Sequence, residues 1–143
     1  MTGKFPTLRA VVLDTTDART LAEFYRQLLG YDYRSGDEPP APGEPDPRGS
    51  DWLVLVDPAG KPRLAFQQVA TLTRTTWPEE AVPQQLHLDL GVASVDELAS
   101  QHARALLLGA TLLADRFADP VEPLYVYSDP AGHPFCMFVA PGQ

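Results

Sequence analysis

The sequence predicts an α+β fold built from two tandem βαβββ modules, and three observations carry that prediction. The segment Asp57-Pro58-Ala59-Gly60-Lys61-Pro62-Arg63-Leu64-Ala65-Phe66 returns as Asp129-Pro130-Ala131-Gly132-His133-Pro134-Phe135-Cys136-Met137-Phe138, with six of ten positions identical. Ahead of each copy stands a Leu-Leu-Gly, at Leu28–Gly30 and at Leu107–Gly109. The same order of hydrophobic patterns runs through both stretches, and such a repeated order marks a duplicated unit.

In the first module, Leu8–Asp14 is an apolar, β-branched run that reads as a strand. Asp17 stands where a helix N-cap belongs, and Leu21, Phe24, Tyr25, Leu28 and Leu29 follow it at helical spacing. Gly30 suits the left-handed position that closes a helix. Tyr31–Ser35, Trp52–Val56 and Arg63–Gln68 read as three further strands, the last two joined by the Asp-Pro-Ala-Gly turn. Between them, Asp37–Gly49 is crowded with prolines, which fix φ and remove backbone donors. It reads as an extra loop of the first module.

The second module opens on Gln85–Leu90. Ser94 and Glu97 form a capping box for a helix that runs to about Leu108 and is closed by Gly109. Thr111–Arg116, Leu124–Tyr127 and Phe135–Val139 complete it as strands. The modules are therefore expected at 1–70 and 85–143, with a Thr- and Pro-rich linker at 71–84, in one compact chain of 143 residues.

Composition narrows the classes of function. Nineteen acidic residues against eleven basic ones give a formal net charge of -8, which repels a phosphate backbone, so no nucleic-acid partner is expected. No apolar run approaches the roughly 18 residues of a membrane helix, and no membrane partner is expected. Only one cysteine is present, so no intrachain disulfide is possible and the cytoplasm is the expected location. No phosphate-cradling glycine loop, no Ser/His/Asp arrangement and no CxxC occurs.

The polar residues of interest lie on the second module. In Gln85–Leu90 polar and leucine residues alternate without a break, so Gln85, His87 and Asp89 share one strand face. Three roles fit His87: a hydrogen-bonded interior histidine, a ligand contact, or a metal ligand. Cys136 shares its face with Pro134 and Phe138, and fits a small hydrophobe, a reactive thiol or a zinc partner of His87. His133 is a turn residue where the first copy has Lys61, and His102 lies beside the apolar stripe of the second helix. Among the aromatic residues, Trp52, Phe66, Tyr127 and Phe138 lie on strands and are candidates to line an apolar site.

Two βαβββ units with a Phe-Tyr…Leu-Leu-Gly helix and an Asp-Pro-x-Gly-x-Pro hairpin resemble the vicinal oxygen chelate superfamily, and within it the glyoxalase-like domain subgroup. The resemblance implies a curved, incomplete mixed β-barrel around a concave cavity, with the helices outside. It also implies a homodimer. In metal-dependent relatives the ligands lie on the first and last strands of each unit. Carried onto this chain, those positions are Ala10, Leu64, His87 and Cys136. Alanine and leucine donate nothing, so no metal and no other cofactor is expected, with His87 the sole plausible ligand. The expected function is small-molecule binding, by sequestration or metal-free chemistry, with Gln85, His87, Asp89, Cys136, Trp52, Phe66, Tyr127 and Phe138 as ligand-binding candidates. Two rivals stand beside it: a metal-dependent lyase or dioxygenase using His87, and a non-catalytic interaction module.

Overall fold

A computed structural model describes residues 4–140. The outermost residues of the two expected modules, 1–3 and 141–143, lie outside the described residues. The chain divides between Thr71 and Leu72 into two compact units.

The first unit runs β1 (Val11–Thr15), α1 (Ala18–Leu29), β2 (Asp32–Tyr33), a single 3-10 turn at Arg48–Ser50, β3 (Trp52–Val56) and β4 (Pro62–Gln68). Its sheet has the order β1-β4-β3-β2, with β1 parallel to β4 and the other pairs antiparallel. The second unit runs β5 (Leu88–Val92), α2 (Val95–Leu108), β6 (Thr111–Arg116), β7 (Leu124–Ser128) and β8 (Pro134–Val139). Its order, β5-β8-β7-β6, repeats the first with the same single parallel pair. Two four-stranded mixed sheets, each with one helix, make an α+β protein of tandem βαβββ units. No sheet closes into a barrel among the described residues.

Local chemistry explains the elements. The Asp17 carboxylate accepts from the backbone N–H of Thr20, and Ser94 accepts from that of Glu97, so each helix starts on a side-chain cap. On α1 the residues Leu21, Phe24, Tyr25 and Leu28 are buried, and Tyr25 stacks on Phe66 of β4 with ring centroids 6.0 Å apart. In both closing hairpins the turn aspartate accepts two backbone N–H groups, Ala59 and Lys61 at Asp57, Ala131 and His133 at Asp129. The repeated Asp is thus a turn-maker.

Three of the strand edges that differ from expectation have a visible cause. β1 begins at Val11 because its partner β4 offers pairing from Leu64 onward, and Leu8 is left exposed. β2 ends at Tyr33, because the buried Asp37 carboxylate takes over as acceptor for the Val54 N–H at 2.9 Å. That carboxylate is also paired with Arg34 and Arg48, both at 3.0 Å, while Arg19 holds Asp46 and the Asp37 carbonyl. The proline-rich loop is therefore pinned to its unit. Finally, β5 starts at Leu88, where pairing with Phe135 begins, so Gln85 and His87 precede the strand.

One residue decides the correspondence between the units. Val56 pairs with Pro62, but Leu55 pairs with Leu64, so Arg63 is an extra residue in β4. In the second unit Ser128 pairs with Pro134 and Tyr127 with Phe135, without a step. A bulge of one residue turns every later side chain to the other face. The position equivalent to Cys136 is consequently Ala65, opposite Val54 and Val12 as Cys136 is opposite Val126 and Asp89. This corrects the expected match of Cys136 with Leu64, which faces α1 instead.

Candidate functional site

Each sheet has one face covered by its helix and one that is not. In the second unit His102 identifies the covered face: its ring stacks on Tyr125 at 3.8 Å, and its Nδ1 lies 2.7 Å from the Tyr127 hydroxyl. Tyr127 is fully buried and also stacks on Phe135 at 4.9 Å. It belongs to the core under α2, not to the open face where a ligand site was expected. Phe66, stacked on Tyr25, is likewise a core residue of the first unit. Strand alternation had no means of choosing between faces for these rings.

The open face of the second unit brings three of the expected residues together. Asp89 on β5 is the lateral neighbour of Cys136 on β8, and His87 lies two residues before Asp89. The His87 Nε2 and an Asp89 carboxylate oxygen are 3.2 Å apart. Donor atoms of His87, Asp89 and Cys136 all lie within 4.8 Å of one another. Phe138 shares the face by strand alternation, two residues beyond Cys136. Gln85 is exposed ahead of the strand and is not part of the cluster.

Electrostatics set the state of the thiol. Partial burial pushes the Cys136 pKa up, and the neighbouring Asp89 carboxylate adds to the rise by its charge and by accepting a hydrogen bond from the thiol. The cluster therefore holds Cys136 as a protonated thiol at neutral pH. It offers one acceptor and two hydrogen-bonding partners to a bound molecule, and no activated nucleophile.

In the first unit the face turned away from α1 carries Val12, the buried Val54 and Ala65 and, at the start of β3, the half-buried Trp52. Trp52 is the large ring on this face. Where the second unit has His87 and Cys136, the first has Ala10 and Ala65. A recess of about 410 Å³ in this unit is lined by Glu23, Arg26, Asp32, Tyr33, Glu38 and Pro39, and holds none of the residues singled out from the sequence.

The metal centre that the superfamily resemblance implies can be tested against these donors. Its ligand set draws on both units, and here half of the positions end in a methyl group. The residues present do not fit that set. Asp89 was singled out as a ligand contact but not as a donor beside His87; its position two residues along the same strand was the available signal.

These features define a class, the paired-βαβββ proteins of the glyoxalase, bleomycin-resistance and dioxygenase superfamily. The glyoxalase-like domain family matches residues 10–138, and the chain belongs to that family. Solved structures agree on the fold. A glyoxalase/bleomycin resistance protein/dioxygenase family enzyme from Burkholderia phytofirmans is 18% identical, with TM-score 0.65 over 94% of this chain and 98% of that one. The fosfomycin resistance protein FosX from Mesorhizobium loti is 11% identical, with TM-score 0.65 over 96% and 95%. A FosX variant from Listeria monocytogenes, complexed with Mn(II), is 14% identical, with TM-score 0.66 over 96% and 93%. Curated protein sequences contain no match. Among the described residues no helix is long and apolar enough to cross a membrane.

Proposed function

We propose that this glyoxalase-like chain binds a small organic molecule without the family's divalent metal, and either sequesters it or acts on it by metal-free chemistry. One observation carries the reading: Ala10 and Ala65 stand where the second unit has His87 and Cys136. A polar cluster without matching donors in the first unit is built for hydrogen bonding. In this reading His87 and Asp89 orient a polar substituent, and Cys136 and Phe138 contact the molecule beside them. A cytoplasmic location suits the lone half-buried thiol.

A second reading has one specific observation in its favour. His87, Asp89 and Cys136 are three donors of the types that hold zinc, gathered on one face. It requires Cys136 to lose its proton to the metal, against the pull of its surroundings.

Elemental analysis of protein purified without chelator separates the two. The proposed reading expects well under one equivalent of Zn, Mn, Ni or Fe. It also expects planar aromatic compounds, screened by calorimetry, to yield a ligand whose affinity falls by roughly 1–3 kcal/mol in His87→Ala. Near-stoichiometric metal that His87→Ala abolishes overturns it in favour of the second reading. A confirmed ligand that binds equally to the wild type and to His87→Ala overturns the placement of the site.

A further inference from the structure

His87 has a carboxylate on one side of its ring and an open nitrogen on the other. Its Nε2 lies 3.2 Å from the Asp89 Oδ1, and among the described residues its Nδ1 has no hydrogen-bond partner. The two side chains are 43% and 57% exposed, so a bound molecule can reach that nitrogen. The backbone sets the pair in place. Asp89 is held opposite Cys136 by the parallel pairing of β5 with β8, and His87 stands two residues ahead of it. A carboxylate this close to Nε2 draws the ring proton to that nitrogen and leaves the lone pair on Nδ1. The same carboxylate favours the imidazolium that forms when Nδ1 takes up a proton. Cys136, within 4.8 Å of both donors, does not compete as a base because its thiol stays protonated.

We infer that His87 is a general base, positioned by Asp89, that removes a proton from a carbon acid bound on this sheet face. The inference rests on the metal-free reading proposed above and gives that reading a reaction. The transfer balances without a co-reactant. Nδ1 takes the proton, and the C–H electron pair passes into the substrate's own conjugated system. The imidazolium then returns the proton to another atom of the same molecule, which is an isomerisation. Where a leaving group departs with the electron pair, the proton goes to water instead, which is an elimination. The surroundings also limit the substrate class. Among the described residues His87 and Asp89 make no ion pair beyond their own, so no fixed cation is paired to the dyad to hold the new negative charge. The substrate therefore carries its own electron sink, a carbonyl or nitro group conjugated with the breaking C–H bond. Phe138, on the same face beyond Cys136, offers such a planar molecule an apolar ring to lie against.

The probe is 5-nitrobenzisoxazole, a planar aromatic carbon acid. A base that takes its ring C–H proton breaks the N–O bond and releases a coloured cyanonitrophenolate, with no metal or cofactor needed. The full chain is expected to exceed an equal concentration of free imidazole about 100-fold in rate. His87→Ala is expected to lose that excess, and added imidazole to restore part of it. Asp89→Asn is expected to lower kcat and leave KM unchanged, a split that a merely structural role would not give. His133→Ala, in the turn between β7 and β8, controls for an exposed imidazole elsewhere and is expected to keep the full rate. Binding of the unreactive 5-nitroindazole, followed by calorimetry, separates the two ways of failing. A wild type no faster than free imidazole overturns the inference, and so does a rate indifferent to His87→Ala. If the indazole nevertheless binds and His87→Ala weakens it, the binding site stands and only the base is wrong. Near-stoichiometric metal overturns the reading beneath both.

Discussion

Cys136 shows how a single side chain takes its chemistry from its neighbours. Sequence alternation put it on a face with Phe138, but the carboxylate that governs it lies on another strand, at Asp89. Burial and that carboxylate both favour the thiol over the thiolate. Alkylation of native protein by iodoacetamide is therefore expected to be slow at neutral pH and to rise only above the usual thiol range. Asp89→Asn removes the added charge, lowers the thiol pKa and speeds alkylation at a fixed mildly alkaline pH. Native Cys136 reacting as fast as free cysteine, or an Asp89→Asn variant reacting more slowly, would contradict this account. The sign for stability follows. The folded pKa is raised, so the thiol stabilises the fold at pH below the ordinary thiol value and loses that contribution as pH climbs through the raised one.

Among the elements, those with a local cause were legible and those with a distant cause were not. Both helices, their caps and the repeated hairpins follow from residues within a few positions of one another, and sequence shows such neighbours directly. The end of β2 depends on Asp37 reaching Val54, and the start of β5 depends on where Phe135 can pair. Neither is local. The bulge at Arg63 was hidden for a different reason: Pro62 and Phe66 match the second copy on either side of it, so the repeat looked in step. Alternation put His87 and Asp89 on one face and Cys136 with Phe138, but it could not show that Phe66 and Tyr127 pack under the helices. Identical turn sequences also hide unequal surroundings. Gly60 and Gly132 both have positive φ, at 81° and 98°, but only Gly132 has a close neighbour, the Arg74 side chain at 3.0 Å from a built Cβ. Gly60→Ala is expected to cost about 1–2 kcal/mol from backbone strain alone. Gly132→Ala costs more, because Arg74 must also shift from its bond to the Pro130 carbonyl. Thermal denaturation of the two variants checks the ranking, and a Gly132→Ala protein as stable as Gly60→Ala would refute it.

Across the whole molecule, a buried phenol of each unit, Tyr33 in the first and Tyr127 in the second, is satisfied differently. Tyr33 in the first unit has its pKa pushed up to about 12, chiefly by burial, with Arg19 opposing and Glu23 adding to the rise. Its hydroxyl lies near Arg19 and Glu23 but makes no hydrogen bond of regular geometry. Tyr127 in the second unit is raised as well, again chiefly by burial with Tyr125 and Asp115 contributing, but its hydroxyl is bonded to His102. For both groups the folded pKa lies above the unfolded value near 10, so their stabilising contribution is complete below that pH. It is lost as pH rises toward 12, while the negative charge of the chain grows. Cooperative alkaline unfolding in that window is expected, accompanied by the tyrosinate absorbance of the buried phenols. The two substitutions to phenylalanine then part company. Tyr33→Phe removes an unsatisfied hydroxyl, so it is expected to leave stability at neutral pH unchanged or slightly raised and to move the alkaline transition upward. Tyr127→Phe removes the same alkaline liability but deprives His102 of its partner, at a cost of about 1 kcal/mol at neutral pH. Urea unfolding at neutral and alkaline pH measures both, and a Tyr33→Phe variant less stable than Tyr127→Phe at neutral pH would show that the buried hydroxyl of the first unit has a partner after all.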